Sequence, residues 1–295
     1  MRRWLLARIS FAAIDRAASI CWIACAIWSG RTRSRGVARY DAGRIEAGLG
    51  FRVALRTMSA EMRENWLDQR LYAGRALGRD AWPDLRDAGA QIASRIRQIQ
   101  AGSPGRPVIL SPFHYVSQYA NIYVVDEVRK ALDMSSISVV SGVPRDIYGN
   151  DSEMIPSLRI LYTYDEKGGD SRNGLGLRVI RSLRRDGVAV VFSDVPPFSL
   201  ARFAMETVGV TMNGKNARIH SGVFRLGAPV DALLLPFYLR FERGRFSVEI
   251  GEVIALAQTD APQRLAETIQ TARKANYPHW LFAGHPSTYH FAPTR

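Results

Sequence analysis

The chain has 295 residues, 47% hydrophobic and 23% charged, an ordinary globular composition with enough length for one large core or two small ones. Forty Lys and Arg against 27 Asp and Glu give a formal net charge of +13, which favours an anionic partner: nucleic acid, an anionic lipid surface, or an acidic carrier protein or substrate. Nucleic acid is disfavoured, because no zinc-ligand spacing, RNP-like aromatic strand or basic zipper accompanies the charge.

Residues Trp4 to Trp28 read WLLARISFAAIDRAASICWIACAIW, a mostly apolar stretch interrupted by Arg8, Asp15 and Arg16. Only Ala17 to Trp28 is free of charge, shorter than the roughly twenty residues a membrane span needs. Trp4, Trp22 and Trp28 suit a bilayer interface, and Arg31, Arg33, Arg35 and Arg39 follow as a basic flank for anionic headgroups. The favoured reading of residues 1–30 is a helix lying in or dipping into one leaflet. A buried first helix, a full span with snorkelling arginines and a signal peptide are the alternatives, the last opposed by Asp15-Arg16 inside the apolar region. Cys21 and Cys25 lie one helical turn apart, so the rest of the chain carries no disulfide framework, which fits a reducing compartment.

Residues 31–295 form the second unit, with a helical start over 40–102 and a sheet-containing core over 107–285. Ile45, Leu49, Val53 and Leu55, then Met62, Trp66, Leu71 and Leu77, then Leu85, Ile92, Ile96 and Ile99 recur near helical spacing, predicting two or three helices broken near Ser59 and Gly78 to Pro83. Predicted strands are Val108-Ile109-Leu110, Ile137 to Val140, Ile160 to Tyr164, Val188 to Phe192, Val230 to Leu239 and Phe246 to Ile250. Predicted helices are Ser117 to Leu132, Leu175 to Leu183, Ala217 to Leu226 and Pro262 to Ala275. Short apolar strands alternating with helices imply an α/β fold with a largely parallel or mixed sheet.

At Ser111-Pro112-Phe113-His114-Tyr115 an apolar strand runs straight into a histidine and an aromatic residue. Asp165-Glu166-Lys167 precedes a helix ending in Leu183-Arg184-Arg185-Asp186-Gly187, and Val190-Val191-Phe192-Ser193-Asp194 is a strand ending in an acid. Ala217-Arg218-Ile219-His220-Ser221-Gly222 is followed by Gly227-Ala228-Pro229-Val230, and the chain closes with Tyr277-Pro278-His279-Trp280-Leu281-Phe282. In this order and spacing, from about Pro107 to His285, the chain resembles the lauroyl/myristoyl acyltransferases of lipid A biosynthesis. The resemblance implies a glycerolipid-acyltransferase-like fold: a mixed, largely parallel sheet flanked by helices, with an N-terminal membrane-associated helix. It implies a transferase at the cytoplasmic face of the inner membrane, peripheral or on a single N-terminal anchor, with an acyl carrier protein or coenzyme A thioester as co-substrate and no cofactor.

His114 is the candidate general base. Acyl transfer from a thioester needs a group to take the proton of the acceptor hydroxyl or amine, and a neutral imidazole serves. At a strand-to-helix turn it would also lie beside helix N–H groups able to bind an oxyanion or phosphate. The chain departs from the family five residues on, where an acid is expected and Tyr119 stands. Three accounts are open: an acid from elsewhere, with Asp194 the candidate; a neutral hydrogen bond from Ser117 or Asn121; or a weakened base, in an enzyme with an unusual acceptor or in an inactive relative that binds lipid or a partner protein.

Asp194 is otherwise a turn residue before Pro196-Pro197, and Arg218 and His220 are either phosphate or carrier contacts or a solvated helix start. Ser117, Tyr119, Asn121, Arg218 and His220 are the candidate substrate contacts. Arg178, Arg181, Arg184 and Arg185 read as a solvated basic face or a dock for an acidic carrier or anionic lipid. His279, His285 and His290 lack metal-ligand spacing, so no metal site is expected. A hydrolase on the same pocket is opposed by the absence of a Gly-x-Ser-x-Gly elbow.

Overall fold

Val108-Ile109-Leu110 lies at the centre of the sheet, as a run with no polar interruption should: every residue of β1 (Val108–Pro112) is buried. The computed structural model describes residues 4–5, 7–141, 155–163, 174–197, 206–284 and 289; Tyr164, Asp165-Glu166-Lys167, His285 and His290 lie outside the described residues. Before β1 the described residues include α1 (Phe11–Trp28), α2 (Gly30–Glu46), α3 (Phe51–Thr57), α4 (Ala60–Ala76) and α5 (Pro83–Gly102). The predicted breaks near Ser59 and Gly78 to Pro83 are present. A third falls at residues 47–50, where Gly48 takes a left-handed φ of 63°.

After β1 come α6 (Gln118–Ala131), β2 (Ile137–Ser141), β3 (Leu158–Tyr162), α7 (Leu175–Asp186) and β4 (Val188–Val191). The chain continues through β5 (Thr207–Met212), β6 (Lys215–His220), α8 (Gly222–Gly227), β7 (Leu233–Glu242), β8 (Arg245–Ile250), β9 (Ile254–Ala255) and α9 (Ala261–Asn276). The sheet order is β3-β2-β4-β1-β7-β8, with β9 also on β7. The pairs from β3 to β7 are parallel, and β8 and β9 run antiparallel to β7. The protein is thus a mixed α/β structure with a mostly parallel central sheet flanked by helices.

One predicted element is wrong. Residues 217–226 are not one helix: Lys215–His220 is a strand paired antiparallel with Thr207–Met212, and only Gly222–Gly227 is helical. The Asn213-Gly214 dipeptide decides this, both residues having positive φ (51° and 70°), the backbone of a tight hairpin turn. Ala217 and Ile219 are buried while Arg218 and His220 are half-buried, so over 217–220 the alternation has a period of two. Strand β7 starts three residues later than predicted because Ala228–Val230 forms a 3-10 turn ended by left-handed Asp231.

Helix α1 explains its own interruptions. Its first half is fastened to the body: Phe11 packs edge-on against Phe241 and Phe246, and Ile14 and Ala18 are buried. Asp15 forms an ion pair with buried Arg63 of α4 at 2.8 Å, so the acid that breaks the apolar run is the one facing the protein. Arg16 points to solvent. The second half leaves the body. Ile20, Ile23 and Ile27 form an exposed stripe, and Trp28 is 90% exposed. Helix α2 folds back along it, with Trp22 against Gly36, where a Cβ would come within 2.3 Å of the indole, and Arg33 donating to the Ala26 carbonyl at 3.0 Å. By length and composition α1 is able to cross a membrane. Ile45, Val53 and Leu55, which recur near helical spacing, are exposed together with Phe51.

Asp15→Ala should destabilise the protein by roughly 2–3 kcal/mol in urea unfolding, since it strands the Arg63 guanidinium in the interior. The Asp15→Leu/Arg63→Met double variant should recover most of that loss; equal losses in both would show that the ion pair is not what fastens α1.

Candidate functional site

Strands β1 and β4 are parallel neighbours in the register Leu110 opposite Val190. Four residues beyond Leu110 is His114, and four residues beyond Val190 is Asp194, so the two side chains leave the same edge of the sheet side by side. Ligands of open parallel sheets bind at this carboxyl edge. The Asp194 carboxylate spans the histidine: Oδ1 lies 2.7 Å from Nδ1, and Oδ2 accepts the His114 backbone N–H at 2.8 Å. The Asp194 side chain is 1% exposed and that of His114 14%. Because a carboxylate accepts, the neutral ring carries its proton on Nδ1 and keeps its lone pair on Nε2.

Of the three accounts of the missing acid, the structure carries the first, an acid from elsewhere. Neither Ser117 nor Asn121 holds the ring. Ser117 caps α6, accepting the Ala120 N–H at 3.0 Å and donating to Asp68 Oδ1. Asn121 is buried and donates to the carbonyls of Tyr115 and Ser117. Tyr119 packs among Tyr72 and Tyr123, and its N–H reaches Asp68 at 3.3 Å. The N–H groups of residues 119, 120 and 121 are therefore taken within the protein, and this helix start does not offer them to an oxyanion or a phosphate.

The turn after the histidine is strained. Val116 has φ 70°, a left-handed backbone that a β-branched side chain disfavours by about 1–3 kcal/mol. It is held there by the closing segment of the chain. The Val116 N–H donates to the His279 carbonyl at 2.7 Å, the Leu281 N–H donates to the His114 carbonyl at 2.9 Å, and Tyr115 bridges Trp280 between them. The same segment delivers Phe282, whose ring centroid lies 5.0 Å from that of His114, and Phe192 approaches to 4.6 Å. The imidazole thus stands between two aromatic rings. Ser111 and Ser193 share a 2.6 Å hydrogen bond beneath it.

The other candidates lie on the hairpin. Arg218 is on β6, not at a helix start; its guanidinium donates to Thr207 Oγ1 at 2.6 Å and its N–H to the Tyr289 carbonyl at 3.0 Å. His220, at the end of β6, is half-buried against Pro196, two residues after Asp194; burial pulls its pKa down and the Pro196 carbonyl pulls it back up. Arg178, Arg181, Arg184 and Arg185 are exposed along α7, as a solvated face would be. Among the described residues no group of three His, Cys, Asp or Glu is placed to hold a metal ion.

Residues the sequence did not point to sit behind the turn. Glu64 and Asp68, one turn apart on α4, are a half-buried acid pair: desolvation and then the Asp68 charge push Glu64 up to about 8, while desolvation raises Asp68 to about 6 against its hydrogen bonds from Ser117 and Tyr119. Burial and then the nearby Arg63 charge bring His279 down to about 3. Arg39, Glu64, Val116 and His279 line a small cleft there. Nothing in the spacing of α4 marks it, because the acids alternate with its apolar face like any solvated pair.

No protein-family model matches the chain, and no curated protein matches it. Glu64 gives a pH signature. Its folded pKa is raised, so the folded state holds a proton that the unfolded chain releases above about 4.5, and its contribution to stability fades as pH rises towards about 8. Glu64→Gln should therefore raise stability at pH 8.5 by on the order of 1 kcal/mol and leave it nearly unchanged at pH 4.5. Urea titrations at the two pH values decide it, and a uniform loss at both would contradict the assignment.

Proposed function

We propose that the protein is a membrane-associated acyltransferase that moves a fatty acyl group from an acyl carrier protein or coenzyme A thioester to a hydroxyl or amine of a lipid, glycolipid or small molecule, akin to the acyltransferases of lipid A biosynthesis. The observation that carries this reading is the His114–Asp194 pair at the carboxyl edge of the sheet, walled by Phe192 and Phe282. His114 Nε2 takes the acceptor proton as the acceptor oxygen or nitrogen attacks the thioester carbonyl. The tetrahedral intermediate collapses with loss of the thiolate, and the imidazolium returns its proton to the sulfur. Asp194 holds the tautomer that leaves Nε2 free and offsets the positive charge that forms on the ring. The flanking aromatics suit an acyl chain and keep water from competing as acceptor.

The N-terminal hairpin supports the membrane half of the reading. The exposed stripe Ile20, Ile23, Ile27 and Trp28 runs into Arg31, Arg33 and Arg35, an apolar wedge with a basic collar suited to an anionic leaflet at the cytoplasmic face of the inner membrane. The basic face of α7 offers an acidic carrier protein a place to dock.

His114→Ala should abolish transfer of a labelled acyl chain from acyl carrier or coenzyme A thioesters to a membrane extract, and Asp194→Asn should lower kcat by about 10²- to 10⁴-fold. Mass spectrometry of all products identifies the acceptor. Undiminished turnover in His114→Ala would overturn the mechanism, and no turnover by the parent chain with any thioester would favour an inactive lipid-binding relative, the reading that Tyr119 at the acid position suggests. Separately, Trp28→Ser/Arg31→Gln should weaken binding to phosphatidylglycerol vesicles by at least about tenfold. Equal binding of parent and variant would remove the hairpin tip from the membrane contact.

A further inference from the structure

Asp194 lies past the end of β4, where ladder hydrogen bonds no longer fix the backbone, and it is followed closely by Pro196 and Pro197, which have no N–H to anchor. Yet its carboxylate must be aimed so that both oxygens meet His114. The geometry points to Tyr289 as the positioning residue that aims it, through the main-chain carbonyl of Asp194. This rests on the proposed function only for what the pair does, not for how it is held.

Tyr289 is fully buried, and its hydroxyl donates to the Asp194 carbonyl. Its ring stacks on Trp280, with centroids 6.3 Å apart and planes 18° apart. Trp280 is the residue bridged to Tyr115 beside the histidine, so one aromatic pair touches both sides of the site. The Arg273 guanidinium lies 4.5 Å over the Trp280 ring and 5.4 Å over the Tyr289 ring, and is itself held by Glu46 at the end of α2 at 2.6 Å. The Tyr289 carbonyl accepts the Arg218 N–H, which ties the residue to β6. A buried phenol fixed on three sides sets the position of whatever its hydroxyl grips. Burial and then the Asp194 charge keep that hydroxyl protonated, so it remains a donor.

The test uses the full chain. Tyr289→Phe keeps the stacked ring and removes only the hydroxyl. Proton NMR follows the far-downfield Nδ1–H resonance of His114, assigned by its absence in His114→Asn. In Tyr289→Phe this resonance should move upfield and exchange with water about tenfold faster, and kcat for acyl transfer should fall about tenfold with KM unchanged. Glu46→Gln, which loosens Arg273 without touching Tyr289, should shift the resonance the same way by less. An unmoved resonance with unchanged exchange in Tyr289→Phe overturns the assignment, as does a KM rise at constant kcat. If Tyr289→Phe does not fold, the Glu46→Gln spectrum decides. The NMR reading does not depend on turnover, so a chain without acyltransferase activity and a Tyr289 without a positioning role give different results.

Discussion

Everything at the candidate site follows from the registry of two central strands. Leu110 opposite Val190 puts equal lengths of chain beyond the last shared rung, and the residues at equal distance are a histidine and an aspartate. A one-residue slip of β4 would turn Asp194 to the other face and leave the imidazole without an acid. The apolar pattern does not prevent the slip, since both faces of β1 and β4 are buried; close packing and the buried Ser111–Ser193 hydrogen bond, which fits only one alignment, do. The pair is therefore a product of core packing more than of any local motif.

That origin explains the costs around it. The chain leaves β1, places His114, and must reverse into α6 within a few residues, which forces Val116 into a left-handed backbone. The penalty is met by hydrogen bonds from 279–281, so the last part of the chain is a structural condition for the first catalytic candidate. Behind the turn lie Glu64, Asp68 and His279, polar groups whose burial pushes the acids up and the histidine down, towards uncharged forms. Strain above and suppressed charge below are the kind of compromise a fold tolerates where geometry matters more than stability.

The α/β architecture was legible because its strands are short apolar runs and its helices α5, α6, α7 and α9 carry clean periodic faces. His114 was legible from its place after a strand, and Asp194 from its place at the end of another, but that they meet is a fact of strand order, 4 beside 1, which pattern alone does not supply. Residues 217–226 misled because Ile219, Val223 and Leu226 also fit a helix, and only the Asn213-Gly214 turn before them marks the hairpin. Exposed Ile45, Val53 and Leu55 show that helical spacing says which residues share a face, not whether that face is covered. Ser117 and Asn121, read as possible holders of the ring, are spent on the turn itself. Tyr289 carries no periodic pattern or motif in its sequence neighbourhood that would mark it.

The fastening of α1 has a mechanical meaning. With Asp15 locked to Arg63 and the helix running on as a rigid rod to Trp28, thirteen residues of rise make a strut of about 20 Å. A flexible tether would leave the position of the tip open; a strut fixes its distance and tilt relative to the body together. Asp15 and Arg63 therefore set the direction in which the exposed tip at Trp28 leaves the body.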